Sequence, residues 1–286
     1  MDIKTLETVI SVIDCGSIAG AAKKLNVSPT AVSLRVQSFE KQMECELFNR
    51  EAHSIKPNHK LDNVTQKIRA IINQARELKF DLQLNGISAE LRLGAISTAL
   101  TGIIPSALEK ISLQAPNVRL KITPGDSKLL YDKLTSGDLD AAILVNPPFL
   151  TPKSIRTSLL RREPLGLLSR QPVSEDEILK VLQTEPYIRY YMHSWGGQLA
   201  QRYLDDYEIY SRVSYDIDSL EAIDLLVSYG QGVSLVPQWL DQADYLSAFT
   251  IVNTEPKYCR EIVLAYDASC ANSSAINLLR EILISI

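Results

Sequence analysis

The sequence predicts an all-α head, a long connecting helix and a larger α/β part built as two lobes. Three observations predict it. Near the N-terminus, apolar residues recur at helical spacing, with capping residues between the runs. From Leu61 to Leu82, an apolar residue falls every third or fourth position. From Leu91 onward, short β-type runs alternate with helical ones.

The head comes first. Leu6, Val9, Ile10 and Ile13 mark one helix, which Gly16 stops. Ser17 caps a short second helix, about Ile18 to Leu25, whose Ala21, Ala22 and Leu25 face inward. Asn26-Val27 turns the chain. Ser28 caps a third helix with Pro29 at its first position, running to about Met43 with Val32, Val36 and Phe39 inside. This is the layout of a helix-turn-helix. The outward residues of the third helix are Thr30, Ser33, Leu34, Arg35, Gln37 and Ser38. Hydroxyls, an amide and a guanidinium suit base edges and phosphates, and Leu34 suits a thymine methyl. A plain three-helix packing unit would show the same burial pattern.

The connecting helix carries Leu61, Val64, Ile68, Ile71, Ala75, Leu78 and Leu82 as a heptad seam. A dimerising coiled coil is expected from it, with Asn85-Gly86 ending the helix. A dimer would carry two recognition helices to half-sites about 34 Å, or a multiple of that, apart on DNA.

The C-terminal part begins with strands at Leu91–Ile96, Val118–Ile122 and Ala141–Val145. Helices are expected between them, about Thr101 to Gln114 and up to Ser136. That order implies a parallel sheet. A second round places strands at Leu165–Leu168, Tyr187–Tyr191, Tyr215–Ile217 and Val233–Val236. Its helices lie near Glu175–Gln183, Gln198–Asp206 and Leu220–Tyr229. The strand Ile262–Asp267 and a helix near Asn272–Ser285 finish the chain, and that helix is expected to return to the first lobe. Two sheets joined by two crossings make a hinged unit like a periplasmic binding protein. The expected domains are residues 1–60, a linker 61–87 and a two-lobed part 88–286. Lobe one comprises about 88–163 and 268–286, and lobe two about 164–267.

Composition narrows the function. The chain has 286 residues, is 22% charged and carries net charge −4, which excludes a protein that coats nucleic acid by bulk charge. Residues 1–60 carry +1 and the remainder −5, a weak asymmetry of the sign a DNA-reading head needs. No apolar run reaches the roughly 18 residues of a membrane helix. The start, Met1 to Glu7, lacks a basic, apolar leader, so a cytoplasmic protein is expected. Its cysteines, Cys15, Cys45, Cys259 and Cys270, read as reduced thiols; only Cys259 has a basic neighbour, Arg260. No nucleophile elbow, phosphate-binding loop or metal-protease motif is present, so no enzyme, cofactor or metal is expected. His53 and His59 read as surface residues.

Gly16-Ser17-Ile18-Ala19-Gly20-Ala21-Ala22, then Leu25, Ser28 to Ser33, Phe39-Glu40 and Leu47-Phe48-Asn49-Arg50, together resemble the head of the LysR-type transcriptional regulators. Leu91-Arg92-Leu93-Gly94-Ala95, Gly137 to Ile143 and Gly230 to Pro237 resemble that family's sensor domain, so the likeness spans the whole chain. The resemblance implies a winged helix-turn-helix on promoter DNA and a C-terminal domain that binds a small-molecule effector. It implies homodimers paired into tetramers, and contact with RNA polymerase. Carried over by position, Ser28, Thr30, Ala31, Ser33, Arg35 and Gln37 would face DNA, and Arg50 would lie on the strand into the wing. Ser97, Thr98, Ser127, Asn146 and Ser219 would touch the effector.

Three departures stand out. Pro29-Thr30 replaces the usual Gln-Pro, Leu34 replaces a frequent Arg, and the wing, Glu51 to Lys60, lacks the usual Leu-Thr and Gly. These imply a weaker grip or an unusual operator, and each lost phosphate contact flattens the salt dependence. A degenerate member without DNA binding, and a two-lobed solute-binding protein, are the alternatives.

The effector site is expected beyond the carboxyl ends of the strands. Ser97-Thr98, Asp126-Ser127, Ser194-Trp195 and Asp218-Ser219 all fall there, at starts of helices where hydroxyls and free N–H groups suit an anion. Asp126 and Asp218 would repel an anion if they point inward, so an amine-bearing or neutral effector is the other reading. Trp195 reads either as packing or as a platform for an aromatic ligand.

Overall fold

Capping chemistry sets the helix boundaries of the head. The computed structural model describes residues 2–51, 54–81, 89–268 and 274–286. They divide into two compact units, Met1–Gly86 and Ile87–Ile286. In the first unit, α1 (Ile3–Cys15) starts where Asp2 accepts a hydrogen bond from the Thr5 N–H at 2.6 Å. It stops at Gly16, whose φ of 61° is the left-handed conformation that glycine takes without strain. The Ser17 hydroxyl caps α2 (Ile18–Leu25) at the Gly20 N–H, 3.0 Å away. Ser28 caps α3 (Pro29–Gln42) at the Ala31 N–H, 3.2 Å away, with Pro29 in the first turn as expected. Leu6, Val9, Ala21, Val32, Val36 and Phe39 close the core between these helices.

Strands β1 (Phe48–Glu51) and β2 (Ser54–Pro57) form the antiparallel wing. Glu40 fastens it to α3, since its Oε1 accepts the N–H groups of Leu47 and Phe48 at 2.9 and 3.2 Å.

The long helix α4 (His59–Asp81) corrects the heptad reading. Leu61, Ile68 and Ile72 are buried in the head's own core, where α4 packs on α1. Arg69 adds a 2.6 Å ion pair to Asp14 of α1. An ordinary helical stripe, which includes Ile72, meets α1, so the N-terminal half of the seam has an intrachain partner. Ile71 and Leu78 stay exposed. Leu82 and Asn85-Gly86 lie outside the described residues.

The second unit holds two sheets. The first has five strands in the order β4-β3-β5-β12-β6. Its strands β3 (Ala89–Ala95), β4 (Val118–Pro124) and β5 (Ala141–Val145) run parallel. Around them lie α5 (Ser97–Gly102), α6 (Ile104–Gln114) and α7 (Ser127–Thr135). The single helix expected from Thr101 is two helices, broken at Ile103 because Pro105 cannot donate back into a preceding turn. Strand β6 (Ile155–Glu163) and strand β12 (Arg260–Asp267) pair with each other, and β12 also pairs with β5, all antiparallel. This corrects the lobe boundary: Arg260 to Asp267 lies in the first sheet, so the return crossing precedes Arg260.

In the second lobe, β7 (Leu165–Ser169) pairs antiparallel with β10 (Ser234–Pro237) and β11 (Ala248–Asn253). Strands β8 (Pro186–Tyr190) and β9 (Arg212–Ile217) run parallel, and a bridge from Tyr187 to Val233 joins the two groups. Helices α8 (Ile178–Thr184), α9 (Gly197–Asp206) and α10 (Leu220–Ser228) cover them. The last helix, α11 (Ser274–Ile284), packs on α6 and β6, as expected for a return to the first lobe.

The chain crosses between lobes twice, once from β6 to β7 and once from β11 to β12. Arg260 and Glu163, at the two crossings, sit opposite each other in the strand ladder.

Candidate functional site

The head presents α3 as one candidate surface. Thr30, Leu34, Gln37 and Ser38 are exposed, and Ala31, Ser33 and Arg35 are half-buried. Leu34 is 61% exposed, a large apolar side chain held in water on an otherwise polar face. Ser28 spends one lone pair on its cap. The Arg35 Nη1 donates to the Thr8 hydroxyl at 3.2 Å, which braces the guanidinium from behind. Arg50 lies in β1 opposite Ile55; the direction of its side chain, and His53, lie outside the described residues.

The second candidate is a cavity of about 450 Å³ in the sensor unit. Every parallel strand that ends there contributes. Ser97 and Thr98 follow β3, and Asp126 and Ser127 follow β4. Tyr190 ends β8, with Ser194 and Trp195 in the loop beyond it, and Asp218 follows β9. This is the place where an open α/β sheet offers N–H groups and hydroxyls without side chains in the way. Of the predicted effector residues, Ser97, Thr98, Ser127, Ser194 and Trp195 line the cavity. Asn146 and Ser219 are not among the lining residues. Asn146 is turned to Glu261, donating at 2.9 Å, and Ser219 caps α10 at the Ala222 N–H, 3.2 Å away.

The hydroxyls are fixed by their neighbours. Ser127 is buried, and its Oγ accepts the Val145 N–H at 3.1 Å. Ser194 donates to the Tyr191 carbonyl at 2.8 Å and accepts from the Gly197 N–H at 3.0 Å. Gly197 is required there, because a Cβ would stand 2.1 Å from the Tyr191 carbonyl oxygen. Trp195 meets Tyr131 of α7 and Phe149 edge-on, with centroids 5.9 and 5.5 Å away. Three rings from two lobes therefore meet at Trp195, the one of them that lines the cavity, which favours packing as its resting role.

Sequence reasoning missed Arg260 as a site residue. It is 1% exposed, lines the cavity, and donates from Nε to Glu163 Oε2 at 2.5 Å. Its Nη2 reaches the Thr98 hydroxyl at 3.4 Å. Burial alone would lower its pKa, and the Glu163 carboxylate together with the Tyr190 hydroxyl more than reverses this, so the guanidinium stays charged. Glu163 also accepts from Arg161, whose Nη2 donates to the Trp239 carbonyl of the second lobe. No local spacing announces a partnership between residues 97 positions apart.

At Asp218, which also lines the cavity, burial and the neighbouring Asp126 carboxylate hold the carboxyl above its usual range. Among the described residues, no cluster of His, Cys, Asp and Glu could hold a metal ion. No described helix is long and apolar enough to cross a membrane.

Comparison with known proteins identifies both parts of the chain. Residues 3–60 match the family model of the bacterial regulatory helix-turn-helix proteins of the lysR family, and residues 84–285 match the LysR substrate-binding domain. The transcriptional activator IlvY of Salmonella typhimurium is 23% identical over 252 residues, covering 83% of each chain. The regulator TtuA of Agrobacterium vitis is 22% identical over 248 residues, covering 84% of this chain and 81% of its own. A full-length OxyR variant from Pseudomonas aeruginosa shares the fold, with TM-score 0.68 and 21% identity, over 99% of this chain and 94% of that one. A DNA-binding helix-turn-helix followed by a small-molecule-binding α/β domain is the build of a regulator and not of an enzyme, and this chain belongs to the LysR family of transcriptional regulators.

Proposed function

We propose that this regulator reads a double-stranded promoter operator with Ser28, Thr30, Ala31, Ser33, Leu34, Arg35 and Gln37 of the α3 region and with Arg50 of the wing. The reading rests on the exposed outer side of α3, whose polar groups project past a buried row of Val32, Val36 and Phe39. Two chains join through the outer side of α4, where Ile71 and Leu78 are uncovered, and two dimers form a tetramer. The protein works in the cytoplasm, and RNA polymerase is a further partner at the promoter. Residues 1–60 act as the head, 61–87 as the linker and 88–286 as the sensor.

The effector binds in the cavity at the strand ends, through Ser97, Thr98, Ser127, Ser194 and Trp195. Asn146 and Ser219 support it from outside the first layer of contacts. Ligand binds the closed arrangement of the two lobes better than the open one, and that difference shifts the spacing of the paired recognition helices. Asp126 and Asp218 in the wall weigh against a simple anion.

DNase footprinting on the promoter fragment beside the protein's own gene tests this. A protected region of two half-sites on one DNA face is expected. Arg35→Ala should weaken it and flatten the salt dependence by about one unit of slope. Absence of any footprint would favour the degenerate-member alternative.

A further inference from the structure

The cavity carries charge of both signs at separate places. At one place the buried pair Glu163 and Arg260 is joined by the half-buried Arg161, which sets two guanidinium charges against one carboxylate. Glu163 is 2% exposed and Arg260 1%, so the charge of this pair is poorly screened. Arg260 brings it to the cavity wall, beside the Thr98 hydroxyl.

The other place is acidic. Asp126 and Asp218 come from different lobes and both line the cavity. Asp126 spends Oδ1 on the Leu129 N–H at 2.8 Å, capping α7. Asp218 receives no hydrogen bond among the described residues. The Tyr190 hydroxyl feels both the Arg260 charge and the Asp218 charge, so both places border the same part of the cavity wall. Lys128 and His193 also line the cavity, and both are exposed. Neither offsets the repulsion between the two carboxylates.

Asp126 and Asp218, both exposed and on opposing lobes, present two carboxylates to one cavity, and such a pair suits a cationic group between them. Resting on the reading of this cavity as the effector site, we propose that its ligand is a small zwitterion, an amine-bearing carboxylate of the amino-acid class. Its ammonium group lies between Asp126 and Asp218, and its carboxylate faces Ser97, Thr98 and Arg260. The ammonium then serves as the bridge that draws the lobes together, since each lobe supplies one carboxylate. Without it, closure would bring two like charges closer. The ligand class and the direction of the switch thus have one cause.

The test is calorimetric titration of the full-length protein with the twenty L-amino acids, and with the matching 2-oxo acid and decarboxylated amine of each one that binds. At least one amino acid should bind. Its 2-oxo acid and its amine should each be at least about tenfold weaker, or about 1.4 kcal/mol. The double variant Asp126→Asn with Asp218→Asn keeps the α7 cap, because asparagine also caps. It should lose at least about tenfold for the amino acid and none for the 2-oxo acid. In the absence of ligand, Asp218→Asn alone should melt higher than the parent at neutral pH, which also shows that the fold is kept. The proposal is overturned if no amino acid binds, if a 2-oxo acid binds as tightly as its amino acid, or if the double substitution leaves amino-acid affinity unchanged. A 2-oxo acid that binds well and is lost with Thr98→Val would retain the cavity as the effector site while removing the zwitterion. Ligand binding indifferent to Thr98→Val would remove the cavity itself.

Discussion

The carboxylate of Glu163 has two arginines and almost no water around it. Replacing it by Gln leaves the Arg260 guanidinium buried without its counter-charge. Breaking a buried pair from one side costs about 3–5 kcal/mol. Glu163→Gln should therefore lose stability of that order in urea denaturation, far more than loss of an exposed pair such as Arg162 with Glu261. Asp218 works in the opposite sense. Its folded pKa lies above the ordinary value of 3.8, so ionisation opposes the folded state. That penalty is absent below the unfolded value and grows as pH rises through the folded one. The melting advantage of Asp218→Asn should accordingly disappear in acid and be fully present at neutral pH, as melts across that range would show. At this scale, the serines of the cavity were legible in the sequence because residues that start helices after strands have a recognisable setting. Arg260 was not, because its role depends on Glu163 and Thr98, which only the fold brings to it.

Among the elements, α4 shows how a pattern can be read and its partner misassigned. The spacing of Leu61, Val64, Ile68 and Ile71 fits a heptad, yet Ile72 is buried and Ile71 is not. A helix of 3.6 residues per turn drifts across a heptad, and α1 is near enough to take the drifting stripe. Substitutions should separate the two sides. Ile68→Ala should destabilise the head by about 2–5 kcal/mol, as for a large core side chain. Ile71→Glu with Leu78→Glu should leave the melting of the head intact and dissociate the dimer, as sedimentation would show. The helices of the head were legible because each has a capping serine, aspartate or glycine at its end. Strands β6 and β11 were not. Strand β6 is an edge strand with charges at Arg156, Arg161 and Arg162, and its alternation is broken by Leu159-Leu160. A bulge between Ile251 and Asn253 interrupts β11.

For the whole molecule, the ring cluster of Tyr131, Phe149 and Trp195 offers a direct readout of the lobes. Trp195 is half-buried, whereas Trp239, the other tryptophan, is fully buried in the second lobe. Closure that changes water access at Trp195 should shift the emission maximum when effector is added, and Trp195→Phe should abolish that shift while the footprint persists. The two-lobed plan could be foreseen from the order of strands and helices. The position of the second crossing could not, because β12 reads equally well as the end of one lobe or the start of the other.

The loop from Tyr191 to Gly196 has a further consequence. Its path is set from within, by the Ser194 hydroxyl and by the close approach of Gly197 to the chain. The side chains of His193 and Trp195 add ring contacts, to Tyr191 and to Tyr131 and Phe149, and supply none of these hydrogen bonds. A lineage could therefore exchange these two residues, and with them the taste for one metabolite over another, while the scaffold that carries the message stays untouched.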